Sequence, residues 1–335
     1  MRQADFVLMP KSFRLNIICY VTSLLAFLAC LGNDASARNL DILTVCGTPN
    51  IAILVLIAQK EGFFKDEELE VEYQPLQNSK LAIDAVVSGQ KDLGLVLDIN
   101  VAYLGFAGVS DVRILGEIMK KSDDGIIARK DHGITTPGDL IGKRIAYFPA
   151  GTTYVLLHRL AKKNGIDLGK TILIPMSPPA MQAAIVNGDI DAASLFQPFR
   201  LNAAASLGAR AVQFENDGLY QARVLVAARR DNMVRREGSI NRFFIALDKA
   251  ARFANSNKAN SIALIYRELG VDKEALEKTW PSYEFGLENV DRLLTSELMG
   301  LGEWILTAQP EFKSRSVPSY EQFLQRRIPN ALSAR

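Results

Sequence analysis

The chain has 335 residues, 48% of them hydrophobic and 23% charged, with a formal net charge of +2. That length asks for two domains of ordinary size rather than one core, and the composition excludes widespread disorder. Lys and Arg are interspersed with nearly as many carboxylates and form no basic stripe, so no nucleic-acid partner is expected.

From the start of the chain, Lys11 and Arg14 precede an apolar run from Ile17 to Leu31, closed by the small residues Ala35-Ser36-Ala37. That order of charged, apolar and Ala-x-Ala segments is a secretory signal peptide, so 1–37 is read as an export segment and the mature protein as periplasmic. Phe27-Leu28-Ala29-Cys30 is a weaker lipobox, and lipoprotein processing at Cys30 is the alternative. Removal of the segment leaves Cys46 alone, with no partner for a disulfide. His132 and His158 are far apart and have no ligand spacing, so neither metal nor cofactor is expected.

From Leu40 strands and helices alternate. Ile42–Val45 is a β-branched strand, followed by Gly47-Thr48-Pro49-Asn50 and an apolar helix from Ile51 towards Gly62. Leu69–Tyr73 alternates apolar and charged residues as a half-solvated strand. Ser79–Val87 reads as a helix and Leu93–Leu97 as a buried strand. Such βαβ units imply an α/β fold with mainly parallel sheets. From Ser239 onward the pattern is read as helical, over Phe243–Ala254, Ser261–Leu269, Lys273–Lys278 and Asn289–Leu306.

The pattern repeats after about a hundred residues. Gly89 lies three residues before Asp92 and an apolar strand, and Gly188 three before Asp191 and another. Gly47-Thr48 heads one helix and Gly151-Thr152 a second. Ile126–Asp131 and Leu225–Asp231 are both apolar strands ending in basic residues and an aspartate, and are read as the two passages of a two-strand hinge. The expected organisation is two Rossmann-like lobes: lobe 1 from 38–128 plus 222–335, and lobe 2 from 129–221.

Ligands of open α/β sheets bind beyond the carboxyl ends of the strands. The candidate ligand-binding residues are therefore Thr48, Pro49 and Asn50; Asp98 and Asn100; Gly151, Thr152, Thr153 and Tyr154; and Phe196 and Gln197. Glycine admits a close approach, Thr and Asn supply donors and acceptors, and free helix N–H groups favour an anionic head. For the Thr and Asn residues and for Asp98, capping of a helix is an equal alternative, and for Tyr154 and Phe196 so is a place in the core. Asp98 and Gln197 fall at matching places in the two copies. Asp98 would accept from an amine or ring N–H, and Tyr154 with Phe196 would hold a planar group.

These segments resemble the nitrate/sulfonate/taurine-type substrate-binding proteins of ABC importers. Ala58–Phe64 is similar to that family's helix-glycine-aromatic segment, Asp139-Leu140-Ile141-Gly142-Lys143-Arg144-Ile145 to its Asp-Leu-x-Gly-Lys-x-Ile segment, and Gly188–Ala192 to its Gly-x-x-Asp-Ala strand entry. The resemblance spans about Leu40 to Leu324. It implies the type II periplasmic-binding-protein fold, no catalysis, and a monomer that delivers a small organic ligand (a sulfonate, carboxylate, amine or pyrimidine-like compound) to ABC permease and ATPase subunits. The alternatives are a pyrimidine-precursor synthase-like enzyme on the same fold and a periplasmic ligand sensor. None of the four candidate loops contains Lys or Arg, which speaks against a bare inorganic anion.

Overall fold

The computed structural model describes residues 41–149 and 151–329. The expected export segment and Cys30 lie outside the described residues.

Two sheets organise the rest. In chain order the strands are β1 (Asp41–Gly47), β2 (Leu69–Pro75), β3 (Leu93–Leu97), β4 (Val112–Lys121), β5 (Gly125–Arg129), β6 (Arg144–Tyr147), β7 (Ile172–Pro175), β8 (Ala192–Leu195), β9 (Ala211–Phe214), β10 (Ala222–Arg229) and β11 (Tyr283–Glu288). The first sheet has the order β11-β4-β10-β3-β1-β2, the second β7-β6-β8-β5-β9. Laid side by side, β2-β1-β3-β10-β4 matches β7-β6-β8-β5-β9 strand for strand. In each sheet the first three are parallel and the fourth, β10 or β5, is antiparallel to both its neighbours. The duplication read in the sequence is thus a duplication of topology.

The helices that matter for the site are α1 (Ile53–Lys60), α2 (Ser79–Val87), α3 (Asp98–Phe106), α4 (Thr152–Lys163), α5 (Pro178–Asn187), α6 (Phe199–Leu207), α7 (Glu237–Ser256) and α8 (Arg292–Ala308). Residues Ile53–Ala58 of α1 are all buried, as an apolar-all-round helix must be. It packs beneath the amphipathic α7, where Phe243 stacks on Phe64 at 5.6 Å. In the second sheet Ile126 and Ala128 of β5 face one core with Tyr154, Leu157 and Leu160 of α4. Ile127 faces the other with Met181 and Ile185 of α5. This period of two buries both faces of the sheet.

α2 and α5 stop in the same way. Gly89 (φ 75°) and Gly188 (φ 89°) take the left-handed conformation that ends a helix cheaply only in glycine. Arg229 Nη1 donates to Val87 O at the end of α2, and Arg129 Nη1 donates to Ile185 O and Val186 O at the end of α5. The strand-ending arginines therefore satisfy helix carbonyls, and their strands are the antiparallel members of the two sheets. The passages between sheets fall just before them, at Ser122–Asp124 and at Glu215–Gln221. β5, expected to straddle the boundary at 128, lies wholly in the second sheet.

β11 departs from the helical reading of the C-terminal region. Tyr283-Glu284-Phe285-Gly286-Leu287-Glu288 alternates buried and more exposed positions as it adds an edge to β4.

Candidate functional site

The carboxyl ends of both sheets turn towards one another across the two passages. Between them lies a cavity lined by Thr48, Asn50, Asn78, Ser79 and Leu97 from the first lobe, Lys121 at the passage, and Phe148, Gly151, Thr152 and Phe196 from the second. With its mouth it encloses about 340 Å³, but its interior leaves only about 20 Å³, room for roughly one water. The lobes are therefore drawn together.

Helix starts supply most of the polar wall. Asn78 caps α2 by accepting from Leu81 N at 3.1 Å, and the amides of Ser79 and Lys80 ahead of it have no intrahelical acceptor. Gly151 is the N-cap of α4, so Thr152 opens that helix from the opposite lobe. Thr48 precedes a 3₁₀ turn, and its Oγ1 donates to Asn50 Oδ1 at 2.7 Å.

The cation at the site comes from the end of β4. Lys121 is 1% exposed, and its Nζ donates to Asp123 Oδ1 at 2.5 Å and Asp124 Oδ1 at 2.6 Å. Burial alone would lower the ammonium's pKa, but the two carboxylates outweigh it and raise the pKa well above the lysine range. Burial also raises Asp124, against the pull of Lys121 and a hydrogen bond from Thr152. Tyr283 Oη donates to the other oxygen of Asp123 at 3.1 Å, and Lys121 Nζ stands 5.9 Å from the centre of the Phe196 ring. Nearby, Arg200 Nη1 pairs with Glu215 at 2.8 Å, and Arg200 Nη2 reaches Asp123 O at 3.4 Å. The five-residue run Lys120-Lys121-Ser122-Asp123-Asp124, set between two apolar strands, was the sequence signal for this network.

Of the residues expected to bind ligand, Thr48, Asn50, Gly151, Thr152 and Phe196 line the cavity. Pro49 opens the 3₁₀ turn beside it. Thr153 O accepts from Ser194 Oγ at 2.6 Å, and Tyr154 lies against Tyr147, His158 and Trp304. Gln197 Oε1 accepts from Leu201 N at 3.0 Å, while its buried Nε2 has no partner. Asn100 Oδ1 accepts from Leu97 N at 2.9 Å, closing the first turn of α3. Asp98 Oδ1 accepts from Tyr220 Oη at 2.7 Å and from Ile99 N at 2.8 Å. Tyr220 belongs to the second passage, so this contact ties the first lobe to that passage. Asn78, Ser79, Leu97, Lys121 and Phe148 are the wall residues that loop-by-loop reasoning passed over.

Contacts between the lobes close the outer side. Tyr103 Oη donates to Pro149 O at 3.1 Å, and Gln309 Nε2 donates to both at 2.9 and 3.3 Å. Trp304 of α8 meets Tyr154 and His158 of α4 edge-on, at 5.4 and 5.5 Å.

Two duplicated α/β lobes joined by two passages around one cleft define the class of two-lobed binding proteins. The chain belongs to the NMT1/THI5-like family, whose model matches residues 48–260. It is 24% identical over 231 residues to a putative binding protein of Brucella abortus (strain 2308), covering 67% of this chain and 70% of that one. It is 29% identical over 178 residues to the taurine-binding periplasmic protein of Escherichia coli (strain K12), covering 52% and 53%. Its fold is that of the alkanesulfonate-binding protein SsuA from Xanthomonas axonopodis pv. citri, solved with MOPS bound. The TM-score is 0.73 at 19% identity, over 85% of this chain and 98% of the other.

Proposed function

We propose that this protein is a periplasmic solute-binding protein that closes its two lobes on a small organic molecule with an oxyanion head, a sulfonate or carboxylate, and presents it to an ABC importer. The carrying observation is that the starts of α2 and α4, one from each lobe, line a single cavity. Their unpaired amides and partial positive charge suit an oxyanion held between them. The taurine- and sulfonate-binding names among its relatives support the same reading.

The charge balance argues against a bare inorganic anion. Lys121 is already neutralised by two carboxylates, so such an ion meets no uncompensated cation there. An organic ligand gains in addition from the Phe148 and Phe196 rings. Asp98 is engaged by Tyr220, so its part in this scheme is to hold the hinge rather than to read a ligand amine.

Thermal-shift titration of the mature protein with ethanesulfonate, taurine, short carboxylates and nitrate tests this reading. A melting temperature that climbs with organic oxyanion concentration, and not with nitrate, supports it. An unchanged melting temperature with every organic oxyanion rejects it.

A further inference from the structure

The outer seam between the lobes carries an ionisable group that the ligand site does not use. α4 straddles this seam: Tyr154, Leu157 and Leu160 belong to the second lobe's core, while Val155 and Leu156 are buried with the first lobe's. His158, one turn on from Tyr154, meets Trp304 of α8 with the ring centres 5.5 Å apart and the planes at 80°. Tyr154 stands edge-on to both rings, at 4.7 Å from His158 and 5.4 Å from Trp304. His158 Nε2 and Trp304 Nε1 are both buried, and neither has a hydrogen-bond partner among the described residues.

The charged groups around the seam are engaged elsewhere or exposed. Arg159 lies over the Tyr220 ring at 4.7 Å, and its Nη1 donates to Leu219 O. Lys162, one turn further along α4, and Glu303, beside Trp304, are exposed. Tyr147 stacks on the far side of Tyr154 at 4.1 Å, and burial pushes the Tyr154 phenol up to about 12. Glu311, after α8, acts through its charge on Tyr103 and Tyr154 but not on His158. Burial alone lowers the imidazole from 6.5 to about 4.

We infer that the contact of His158 with Trp304 is a proton-sensitive latch between the lobes: closure holds the imidazole neutral, and its protonation opens the seam and releases the ligand. The inference rests on the proposed function above, in which the closed form is the loaded one. Opening parts α4 from α8 and returns His158 to water, where it takes up a proton more readily. Closure therefore gives up a proton; it is unopposed above about pH 6.5 and increasingly disfavoured as pH falls towards 4. Asp98 has the opposite sign, because burial raises its carboxyl to about 7. A comparison between proteins that both keep Asp98 removes its contribution.

Calorimetric titration of the mature protein and of His158→Asn with ethanesulfonate, taurine and propionate, at about pH 7.5 and about pH 5, tests the latch. Any titration of the probe itself cancels between the two proteins. Relative to His158→Asn, the parent is expected to lose about tenfold in affinity on acidification, and at the lower pH to release close to one proton more on binding. Trp304→Ala lets water reach His158 in the closed form and should shrink the parent's loss to about twofold. An affinity ratio between parent and His158→Asn that is equal at both pH values, or a pH dependence untouched by Trp304→Ala, would overturn the latch while leaving the proposed function standing. Failure of every probe to bind at either pH would overturn both.

Discussion

Asp92 and Asp191 make the same bond in the two lobes. Asp92 Oδ2 accepts from Thr44 N of β1 at 2.9 Å, and Asp191 Oδ2 accepts from Arg144 N of β6 at 2.8 Å. The backbone answers in kind, with Asp92 N donating to Thr44 O and Asp191 N to Arg144 O. Each aspartate therefore locks the entry of its sheet's third parallel strand, β3 or β8, to the strand beside it. The carboxyl ends of those strands then open onto the shared cavity.

Removing either carboxylate should loosen one sheet only. Hydrogen bonds to charged groups contribute roughly 2 kcal/mol each, so Asp92→Ala and Asp191→Ala should each cost about 2–4 kcal/mol. The double variant should cost their sum, because the sites share no partner. Urea denaturation measures this, and a variant within 0.5 kcal/mol (about the error of such comparisons) of the parent would contradict the assigned role.

Much of this plan was legible in the sequence. Gly89, Asp92 and their counterparts Gly188 and Asp191 are local signals, since a left-handed helix stop and a strand-opening aspartate each need a particular residue type. Ser79–Val87 and Leu93–Leu97 were delimited by the same punctuation and appear with the expected bounds. The ion pairs of Lys121 with Asp123 and Asp124 are local, but its place in the cavity wall was not legible, because that wall is made by long-range packing of Phe196, Thr152 and Tyr283 around the passage. The role of Asp98 was hidden for the same reason, as its partner Tyr220 is 122 residues away. β11 was missed although its alternation is plain, because the helices on either side set the expectation.

The ion cluster at the passage is expected to be costly to break. Lys121→Met strands two buried carboxylates and should destabilise the protein by about 3–5 kcal/mol. Adding Asp124→Asn to that variant should restore part of the loss. Chemical denaturation at pH 7 checks both, and a Lys121→Met protein as stable as the parent would exclude a charge-paired cluster.

Asp98 makes stability depend on pH. Burial pushes its carboxyl up to about 7 from 3.8, against opposing hydrogen bonds from Tyr220 and Ile99. Between those values the folded protein holds the proton that the unfolded chain releases, so this contribution is full below about pH 4 and is lost as pH rises to 7. Asp98→Asn keeps the acceptor oxygen and removes the charge. The variant should gain on the parent by about 1–3 kcal/mol between pH 5 and 8. His158, lowered to about 4 by burial, acts equally in both proteins and cancels from the difference. Urea midpoints across pH test this, and a stability difference independent of pH would rule it out.

The bond from Tyr103 to Pro149 fastens one lobe to the other. Tyr103→Phe keeps the ring and removes the hydroxyl, which should weaken ligand binding about five- to tenfold through faster release. Stopped-flow release of the best-bound sulfonate measures it. An unchanged release rate would show that this contact does not hold the lobes closed.

The central claim is that a ligand is held between the lobes by the starts of α2 and α4. A crystal structure of the mature protein with its best-bound oxyanion tests it most directly. The head should lie within hydrogen-bond reach of Ser79 on one lobe and Thr152 on the other. A ligand bound to one lobe alone, or anywhere outside the cleft, would contradict it.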